Sequence, residues 1–425
     1  MSQPHPPVAL YLHLPFCVAR CPYCDFVVYA GSDARGPRAR TERLHAALAR
    51  ELELRADALD ARFGPAGAAS PSADARPDAA SPIDARPPLT SVYFGGGTPS
   101  LTSPEWIARL MDAVRARFGV AADAEVTLEA NPGADERGDL AAFRRAGVNR
   151  VSFGAQSLDA GELRRLGRRH SPKDVAAAVE AARAGGIGSV NLDLLYDVPG
   201  QSEADWEATL RAALVLGPDH LSLYALTLDD PDEEGLTGAG GDHLPTPPGA
   251  RRWRERARAE QDDDRAAAQY TNATEMLAAR GLRGYEISNW ARPGHESRHN
   301  LAYWERRSYE AVGPGAHAFD GVVRRWNSAA MEPYLAALLE SGPVLPPGGS
   351  ETLTTTDAAA ERVILALRLD EGVPASWAAE PPLGEVREWA EHSGLLEPFG
   401  VGGEQRLRLT TRGRLLSNEL FARLV

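Results

Sequence analysis

Three cysteines carry the clearest chemistry in this sequence, because all of them fall within eight consecutive positions of a 425-residue chain: Cys17, Cys21 and Cys24. Their odd number and tight spacing, C-x3-C-x2-C, do not suit a disulfide framework. Thiolates are soft ligands that select zinc or iron–sulfur clusters. A cubic four-iron cluster needs one ligand per iron, so three cysteines would leave one iron open to an exogenous molecule. The spacing therefore predicts a cluster with a vacant coordination position.

A structural zinc site is the main alternative for the same thiols. Zinc sites usually pair two C-x2-C units or add histidines at set spacing, and no such second half follows in the sequence. Zinc would therefore have to recruit His13 or a carboxylate. Three inert buried cysteines are the other alternative.

Further polar residues follow β-rich runs later in the chain. The glycines of YFGGGTPS, residues 93–100, allow the backbone to approach a ligand closely. Glu129 in LEANPG is a carboxylate suited to a ligand ammonium or to ribose hydroxyls, and later runs add Gln156, Arg168 and Asp193. Each of these is equally consistent with a surface side chain. Their occurrence at successive strand ends is what favours a single site.

Six β-rich runs alternate with helical patterns and would position these residues. The runs are 8–14, 91–96, 125–131, 150–157, 189–197 and 220–227. Such alternation is typical of βα units around a parallel sheet, whose active sites lie at the carboxyl ends of the strands. Six units predict an α/β fold with a partial (β/α)6 TIM-like barrel rather than a closed eight-stranded one.

The segments between and beyond these runs differ in character. Residues 104–118 carry an apolar stripe of helical period, and Ser103 before Pro104 predicts the N-cap. Residues 60–90 are Ala, Pro, Ser and Asp with little to bury, which predicts a flexible insertion. A second polar insertion, 228–266, ends in alternating charges and predicts a solvated helix rather than a binding site.

Three regions are predicted along the chain. Residues 1–230 form the barrel, and 231–345 form a linking region that carries HNLAYW. Residues 350–425 contain compact helical patterns and a short alternating strand, which resemble a small winged-helix unit. We expect this unit to pack on the barrel or to act as a lid.

Charge and hydropathy exclude several functions. A net charge of −13 argues against a nucleic-acid binder, which needs a basic surface. The N-terminal stretch lacks the pattern of an export signal, and no run approaches the roughly 18 apolar residues of a membrane span. We therefore expect a cytoplasmic protein in a reducing compartment, without membrane insertion.

Several motifs in sequence order resemble the oxygen-independent coproporphyrinogen oxidase superfamily of radical S-adenosylmethionine (SAM) proteins. They are YLHLPFC, YFGGGTPS, LEANPG, RVSFGAQS, LGRRHS, NLDLLYDVPGQ and YEISNWARPG. The likeness covers nearly the whole chain except 60–90. It implies that the three cysteines bind a [4Fe–4S] cluster and that SAM chelates the open iron. The residues that would line the SAM pocket on this resemblance are Tyr11, Tyr23, Gly96, Gly97, Thr98, Glu129, Gln156, Arg168 and Asp193.

Two activities divide this superfamily. The oxidase motif carries one more cysteine two positions after the third, where this chain has Phe26. HNLAYW, residues 299–304, matches the HNxxYW motif typical of the haem chaperone branch, HemW. The resemblance therefore implies a protein that holds haem and delivers it to acceptor haemoproteins. The alternative is an enzyme that cleaves SAM reductively and oxidises coproporphyrinogen III or a related tetrapyrrole.

The haem motif has a chemical interpretation of its own. His299 offers an imidazole for axial coordination of haem iron, while Tyr303 and Trp304 offer flat faces for a porphyrin. The alternative is that all three pack under the barrel mouth. His317 in GPGAHAF is a rival ligand, for which a structural role is the favoured alternative. A homodimer, and peripheral contact with membrane-bound acceptors, are compatible with this interpretation.

Overall fold

The computed structural model describes residues 3–31, 40–67, 86–238, 240–342 and 344–425. The strands are β1 Ala9–Leu14, β2 Phe16–Cys17, β3 Tyr29–Ala30, β4 Leu89–Gly96, β5 Val120–Ala130, β6 Arg150–Gln156, β7 Ser189–Tyr196, β8 His220–Ala225, β9 Arg283–Gly284, β10 Asn289–Ala291, β11 Tyr309–Val312, β12 His317–Phe319, β13 Val323–Asn327, β14 Gly348–Thr352, β15 Val373–Pro374, β16 Leu396–Val401 and β17 Glu404–Leu409. The α-helices are α1 Thr41–Phe63, α2 Pro104–Phe118, α3 Leu140–Arg145, α4 Ala160–Arg165, α5 Pro172–Ala184, α6 Glu203–Val215, α7 Pro248–Arg258, α8 Asp263–Ala278, α9 Arg298–Trp304, α10 Met331–Leu339, α11 Thr355–Arg368, α12 Leu383–His392, α13 Thr411–Leu415 and α14 Ser417–Phe421. Within these ranges, no helix is both long enough and apolar enough to cross a bilayer.

The six predicted strands form the parallel centre of a twelve-stranded sheet. Its order is β14-β13-β12-β11-β1-β4-β5-β6-β7-β8-β10-β9. Strands β1 and β4 to β8 pair in parallel with their neighbours, and β11 adds a further parallel strand beside β1. The α/β fold with a partial barrel is therefore confirmed.

The edges of the sheet come from later in the chain. On one side β12, β13 and β14 follow β11 in antiparallel pairs, and on the other side β10 and β9 follow β8. Strands of residues 283–352 thus extend both edges of the barrel sheet. The region that follows the six βα units is part of the same sheet.

The central strands are buried because helices cover one face of the curved sheet and side chains fill the other. Leu10 and Leu12 of β1 and Phe94 of β4 are fully buried, as expected of parallel strands. Helix α2 buries the predicted apolar stripe, and the Ser103 hydroxyl accepts a hydrogen bond from the Trp106 N–H as the N-cap.

The prediction of a flexible insertion over 60–90 is wrong at both of its ends. Helix α1 continues to Phe63, and the Arg86 side chain is 2% exposed. Its guanidinium donates to the Gly64 carbonyl at 2.9 Å and pairs with the Asp60 carboxylate. This ion pair fixes Arg86 against the end of α1, three residues before β4 begins. Residues 68–85 lie outside the described residues.

The C-terminal unit has a separate hydrophobic core. It combines α11 to α14 with an antiparallel sheet of order β15-β17-β16. The unit docks on the barrel through Arg368, whose guanidinium lies 4.3 Å from the centre of the Trp304 ring. A second contact is the hydrogen bond from the Asp370 N–H to the Tyr285 carbonyl, at 2.9 Å. Helices followed by a β-hairpin are compatible with a winged-helix-like unit, which stays a prediction from the sequence.

A buried carboxylate joins four elements on the outer side of the barrel. Glu51 of α1 is fully buried and accepts hydrogen bonds from Arg55, from Asn327 at 2.8 Å, from the Gly313 N–H at 2.9 Å and from the Tyr334 hydroxyl at 2.7 Å. These partners lie in α1, at the end of β13, just after β11 and in α10. Since the carboxylate is desolvated, every one of these donors is needed to keep it in place.

Replacing Glu51 with alanine should lower the free energy of unfolding by about 3–5 kcal/mol, because several buried donors would lose their acceptor. Urea unfolding followed by tryptophan fluorescence measures this loss. Arg50→Ala, an exposed position on the same helix, is the matched control and should change the value by less than about 0.5 kcal/mol. A loss of under about 1 kcal/mol for Glu51→Ala would contradict this account.

Candidate functional site

Two cavities that share the Phe26 side chain lie beside the parallel strands. The cysteine cavity, of about 640 Å³, is lined by Cys17, Cys21 and Cys24 together with polar residues from the ends of β4 to β8. The aromatic cavity, of about 430 Å³, is walled by Tyr303, Trp304 and other rings. Both volumes fall in the range of small-molecule sites.

The three cysteines are free thiols on the wall of the first cavity. The Cys17 sulfur lies 3.2 Å from the Thr98 hydroxyl, and the Arg168 guanidinium donates to the Cys21 sulfur at 3.3 Å. Burial raises the pKa of Cys17 to about 11 and that of Cys24 to about 12. Both thiols are therefore protonated at neutral pH, and a bound metal would have to displace their protons.

Among the residues described, no three Cys, His, Asp or Glu side chains converge as closely as one metal ion requires. A four-iron cluster bonds each thiolate to a different iron, so its ligands surround a cavity rather than a point. Three soft sulfur ligands on one cavity wall are a donor set that fits such a cluster.

Arginines from distant segments hold the loop that carries the cysteines. Arg254 of α7 donates to the carbonyls of Pro22, at 3.1 Å, and Cys24, at 3.0 Å, and it also contacts the Asp229 carbonyl. Its side chain is 2% exposed. The prediction of a merely solvated helix within 228–266 is therefore wrong for α7, because this helix buries the guanidinium that the cysteine loop needs.

Arg168 ties the same loop to the barrel. Besides the Cys21 sulfur, its guanidinium contacts the Asn131 side chain and donates to the Gly154 carbonyl at 2.8 Å. These partners lie just after β5 and within β6. Nearby acidic groups and the Cys21 side chain raise the pKa of Arg168 despite its burial, so the guanidinium stays charged.

Two predicted carboxylates lie in the cysteine cavity, on β5 and β7, with β6 between their strands. Glu129 accepts hydrogen bonds from the Tyr93 hydroxyl at 2.8 Å and from the Gly96 N–H at 2.9 Å. Asp193 accepts from Ser152 at 2.9 Å. Burial raises the pKa of both carboxyls, to about 7 for Glu129. A ligand ammonium near them would favour their ionised forms.

The glycines at the end of β4 are needed for packing within the protein, independently of any ligand. Gly96 has a φ of 117°, and a Cβ there would lie 2.6 Å from the His13 ring. A Cβ on Gly97 would lie 2.7 Å from the Phe16 carbonyl oxygen. Both glycines line the cysteine cavity. Their lack of side chains therefore lets the β4 end pack against the start of the cysteine loop.

The structure distributes the remaining predicted residues over both cavities. Gln156 lines the cysteine cavity with a left-handed backbone, φ 64°. Tyr23 also lines it, and its buried hydroxyl has no hydrogen-bond partner among the described residues. Thr98 contacts the Cys17 sulfur. Tyr11 is apart from this group, since its ring lines the aromatic cavity.

Helix α9, which carries HNLAYW, contributes side chains to both cavities. Asn300 lines the cysteine cavity, whereas Tyr303 and Trp304 line the aromatic one. His299 is 1% exposed, with Nδ1 3.0 Å from the Ser91 hydroxyl and Nε2 2.8 Å from the Tyr303 hydroxyl. Burial lowers the pKa of His299 to about 3, so its ring is neutral. Haem iron would reach Nε2 only if Tyr303 moved.

Sequence reasoning missed two functional positions. Arg254 gives no distinguishing signal, because it is one of several arginines in RRWRERARAE. Phe26 was noted only as the absence of a cysteine, yet its ring is 62% exposed and lines both cavities. A large exposed apolar side chain next to a cysteine motif is the signal that could have identified it.

Comparisons with known proteins agree with this geometry. Residues 68–213 match the model of the radical SAM superfamily. The chain is 40% identical to heme chaperone HemW of Mycobacterium tuberculosis, over 99% of this chain and 96% of that protein. It is 36% identical to heme chaperone HemW of Escherichia coli, over 73% of this chain and 70% of that protein.

Among solved structures, coproporphyrinogen III oxidase (HemN) of Escherichia coli, a radical SAM enzyme, shares the fold. The TM-score is 0.74 at 23% identity, over 99% of this chain and 91% of the oxidase chain.

Replacing Arg254 with glutamine should expose the buried thiols of the metal-free protein, because the Pro22 and Cys24 carbonyls lose a charged donor. Hydrogen bonds to charged groups contribute about 1.5–3 kcal/mol each, so labelling of Cys17 and Cys24 by a maleimide should accelerate about tenfold or more. Mass spectrometry of each cysteine measures the rates. Arg256→Gln, exposed on the same helix, should leave them unchanged. Equal rates in both variants would show that Arg254 does not hold the loop.

Glu129 should make the stability of the ligand-free protein depend on pH. Its folded-state pKa of about 7 exceeds its ordinary value of 4.5, so the folded state binds the proton more tightly. This stabilisation is complete below about pH 4.5 and is lost as the pH rises through 7. We therefore compare the free energy of unfolding of the wild type with that of Glu129→Gln. From pH 5 to pH 8 the wild-type value should fall by about 2 kcal/mol relative to the variant's value.

Urea unfolding at the two pH values measures this difference. Glu388→Gln removes an exposed carboxyl and serves as the control, for which the difference from the wild type should not vary with pH. A difference between wild type and Glu129→Gln that is the same at both pH values would refute the raised pKa.

Proposed function

The chain belongs to the HemW family of radical SAM proteins, and on that premise we propose that it is a haem chaperone, which binds haem and transfers it to acceptor haemoproteins. One observation carries the proposal. The helix with the HNxxYW motif of this family contributes side chains both to a thiol-lined cavity and to a second cavity walled by aromatic rings. A porphyrin and a cluster with SAM can therefore occupy adjacent but separate sites.

We place the [4Fe–4S] cluster on Cys17, Cys21 and Cys24, and SAM beside it in the cysteine cavity. When bound, the cluster supplies an iron that can be coordinated by the amino and carboxylate groups of SAM. The chain contributes Glu129 and Asp193 as buried carboxylates for the ligand, while Arg168 neutralises negative charge next to Cys21.

The chain lacks the additional cysteine of the oxidase motif. Phe26 stands at that position, and its exposed ring contributes an apolar lip where the two cavities meet. An apolar surface at this point suits contact with a porphyrin face better than further metal binding.

The C-terminal unit acts as a lid in this proposal. Arg368 and Asn418 belong to it, and both line the cysteine cavity. Arg368 also stacks on Trp304, which lines the other cavity. A cytoplasmic location, a homodimer and peripheral contact with membrane-bound acceptors stay predictions from the sequence.

Titration of haem into the anaerobically reconstituted full-length protein tests the proposal. We expect a saturable shift of the Soret band with a defined stoichiometry. We also expect haem to pass from this protein to an apo-haemoprotein. The transfer should be faster than transfer from a non-specific haem carrier such as serum albumin. Absence of saturable binding would contradict a haem chaperone.

The enzyme alternative is tested with the same preparation. Incubation with SAM, a reductant and coproporphyrinogen III should yield no protoporphyrinogen, as measured by chromatography after oxidation to the porphyrin. An authentic coproporphyrinogen oxidase run in parallel confirms that the assay works. Stoichiometric conversion by this chain would favour the oxidase.

A further inference from the structure

One carboxylate in the aromatic cavity orients two histidines. Asp242 lies 3.0 Å from Nδ1 of His243 through one oxygen and 2.8 Å from Nε2 of His317 through the other. In the described part of the chain, the remaining ring nitrogens, Nε2 of His243 and Nδ1 of His317, have no hydrogen-bond partner. A histidine that donates one N–H to a carboxylate and leaves the other nitrogen free is arranged as metal-ligating histidines are.

His317 is the better positioned of the two. It begins strand β12, and its ring stacks on Trp326 with centres 5.9 Å apart and planes inclined by 23°. His243, in contrast, lies in a segment without a helix or strand. A ring held by a strand, a stacked indole and a carboxylate has little freedom to turn.

The surrounding wall has the chemistry of a porphyrin site. Flat apolar side chains form much of it, namely Phe26, Tyr303, Trp304, Tyr309 and Phe319. The same cavity holds two guanidinium groups, those of Arg306 and Arg324; both pair with Glu361, and Arg324 also pairs with Glu351. Haem has a flat apolar ring and an iron that accepts axial imidazole, for which this wall offers partners, while its carboxylates could bind these guanidinium groups in exchange for their present ion pairs.

We infer that haem binds in the aromatic cavity with Nδ1 of His317 as its axial ligand, while His299 remains a buried structural histidine. This inference rests on the proposed haem chaperone function and gives its cargo a site. The Nδ1 lone pair forms the bond to iron and displaces a water molecule. The Nε2 proton stays shared with Asp242, and no electron is transferred.

The position of His299 argues for this division of roles. Both of its ring nitrogens are already hydrogen-bonded, to Ser91 and to Tyr303, and the ring is fully enclosed. Coordination there would leave a buried hydroxyl without its partner, which is costly. His317 offers a free nitrogen on a cavity wall without any such rearrangement.

Parallel haem titrations of full-length variants test the inference. His317→Gln keeps a polar contact to Asp242 but cannot ligate iron as imidazole does. We expect at least tenfold weaker binding and loss of the imidazole-ligated Soret and resonance Raman signature. Millimolar imidazole should restore that signature. Asp242→Asn, which keeps both histidines, should weaken binding about three- to tenfold and gives a second readout if His317→Gln folds poorly.

Two controls separate the possible failures. His392→Ala removes an exposed histidine of α12 and should leave the titration unchanged. His299→Gln should keep the wild-type spectrum if its thermal unfolding shows a folded protein. An imidazole signature that disappears in His299→Gln and persists in His317→Gln would overturn the inference while the haem chaperone function stands. A wild type that binds no haem would instead remove the proposed function itself, and this inference with it.

Discussion

Charged hydrogen bonds from buried guanidinium groups to a loop with little backbone pairing of its own are the interactions on which this site depends. The short pair β2 and β3 brackets the cysteine loop, and a single backbone hydrogen bond, from the Cys24 N–H to the Cys21 carbonyl, turns the chain between them. Arg254 reaches in from α7 and Arg168 from the barrel. A buried guanidinium is stable only if its donors find acceptors. The arginines and the loop therefore order one another.

Much of the barrel could be predicted because its signals are local. A run of apolar β-formers, a capping serine followed by proline, and three clustered thiols each reveal themselves within a few residues. All six predicted strands of the parallel centre are present, and they neighbour one another in the order of the chain. The edges were not predicted, since strands such as β9 and β10 have two and three residues and no period to detect.

The parts of the site that escaped prediction are those made by distant contacts. Arg254 touches the cysteine loop from 230 positions away along the chain, and no local pattern marks it among its neighbours. The pair of Asp242 and His317 is formed in the same way, between a polar insertion and a strand that joins the sheet edge. Tyr11 was assigned to the SAM pocket from the family resemblance, whereas in the structure it lines the second cavity.

Helix α9 contributes to two cavities at once, and this limits how the molecule can change. Asn300 and Trp304 lie one turn apart on the same face of this seven-residue helix, and they reach different cavities. An α-helix turns by about 100° per residue. Loss or gain of one residue within it would turn the following side chains by about 100° relative to the preceding ones, so the lining of both cavities would change together. A point substitution can instead change the lining of one cavity and leave the other as it is.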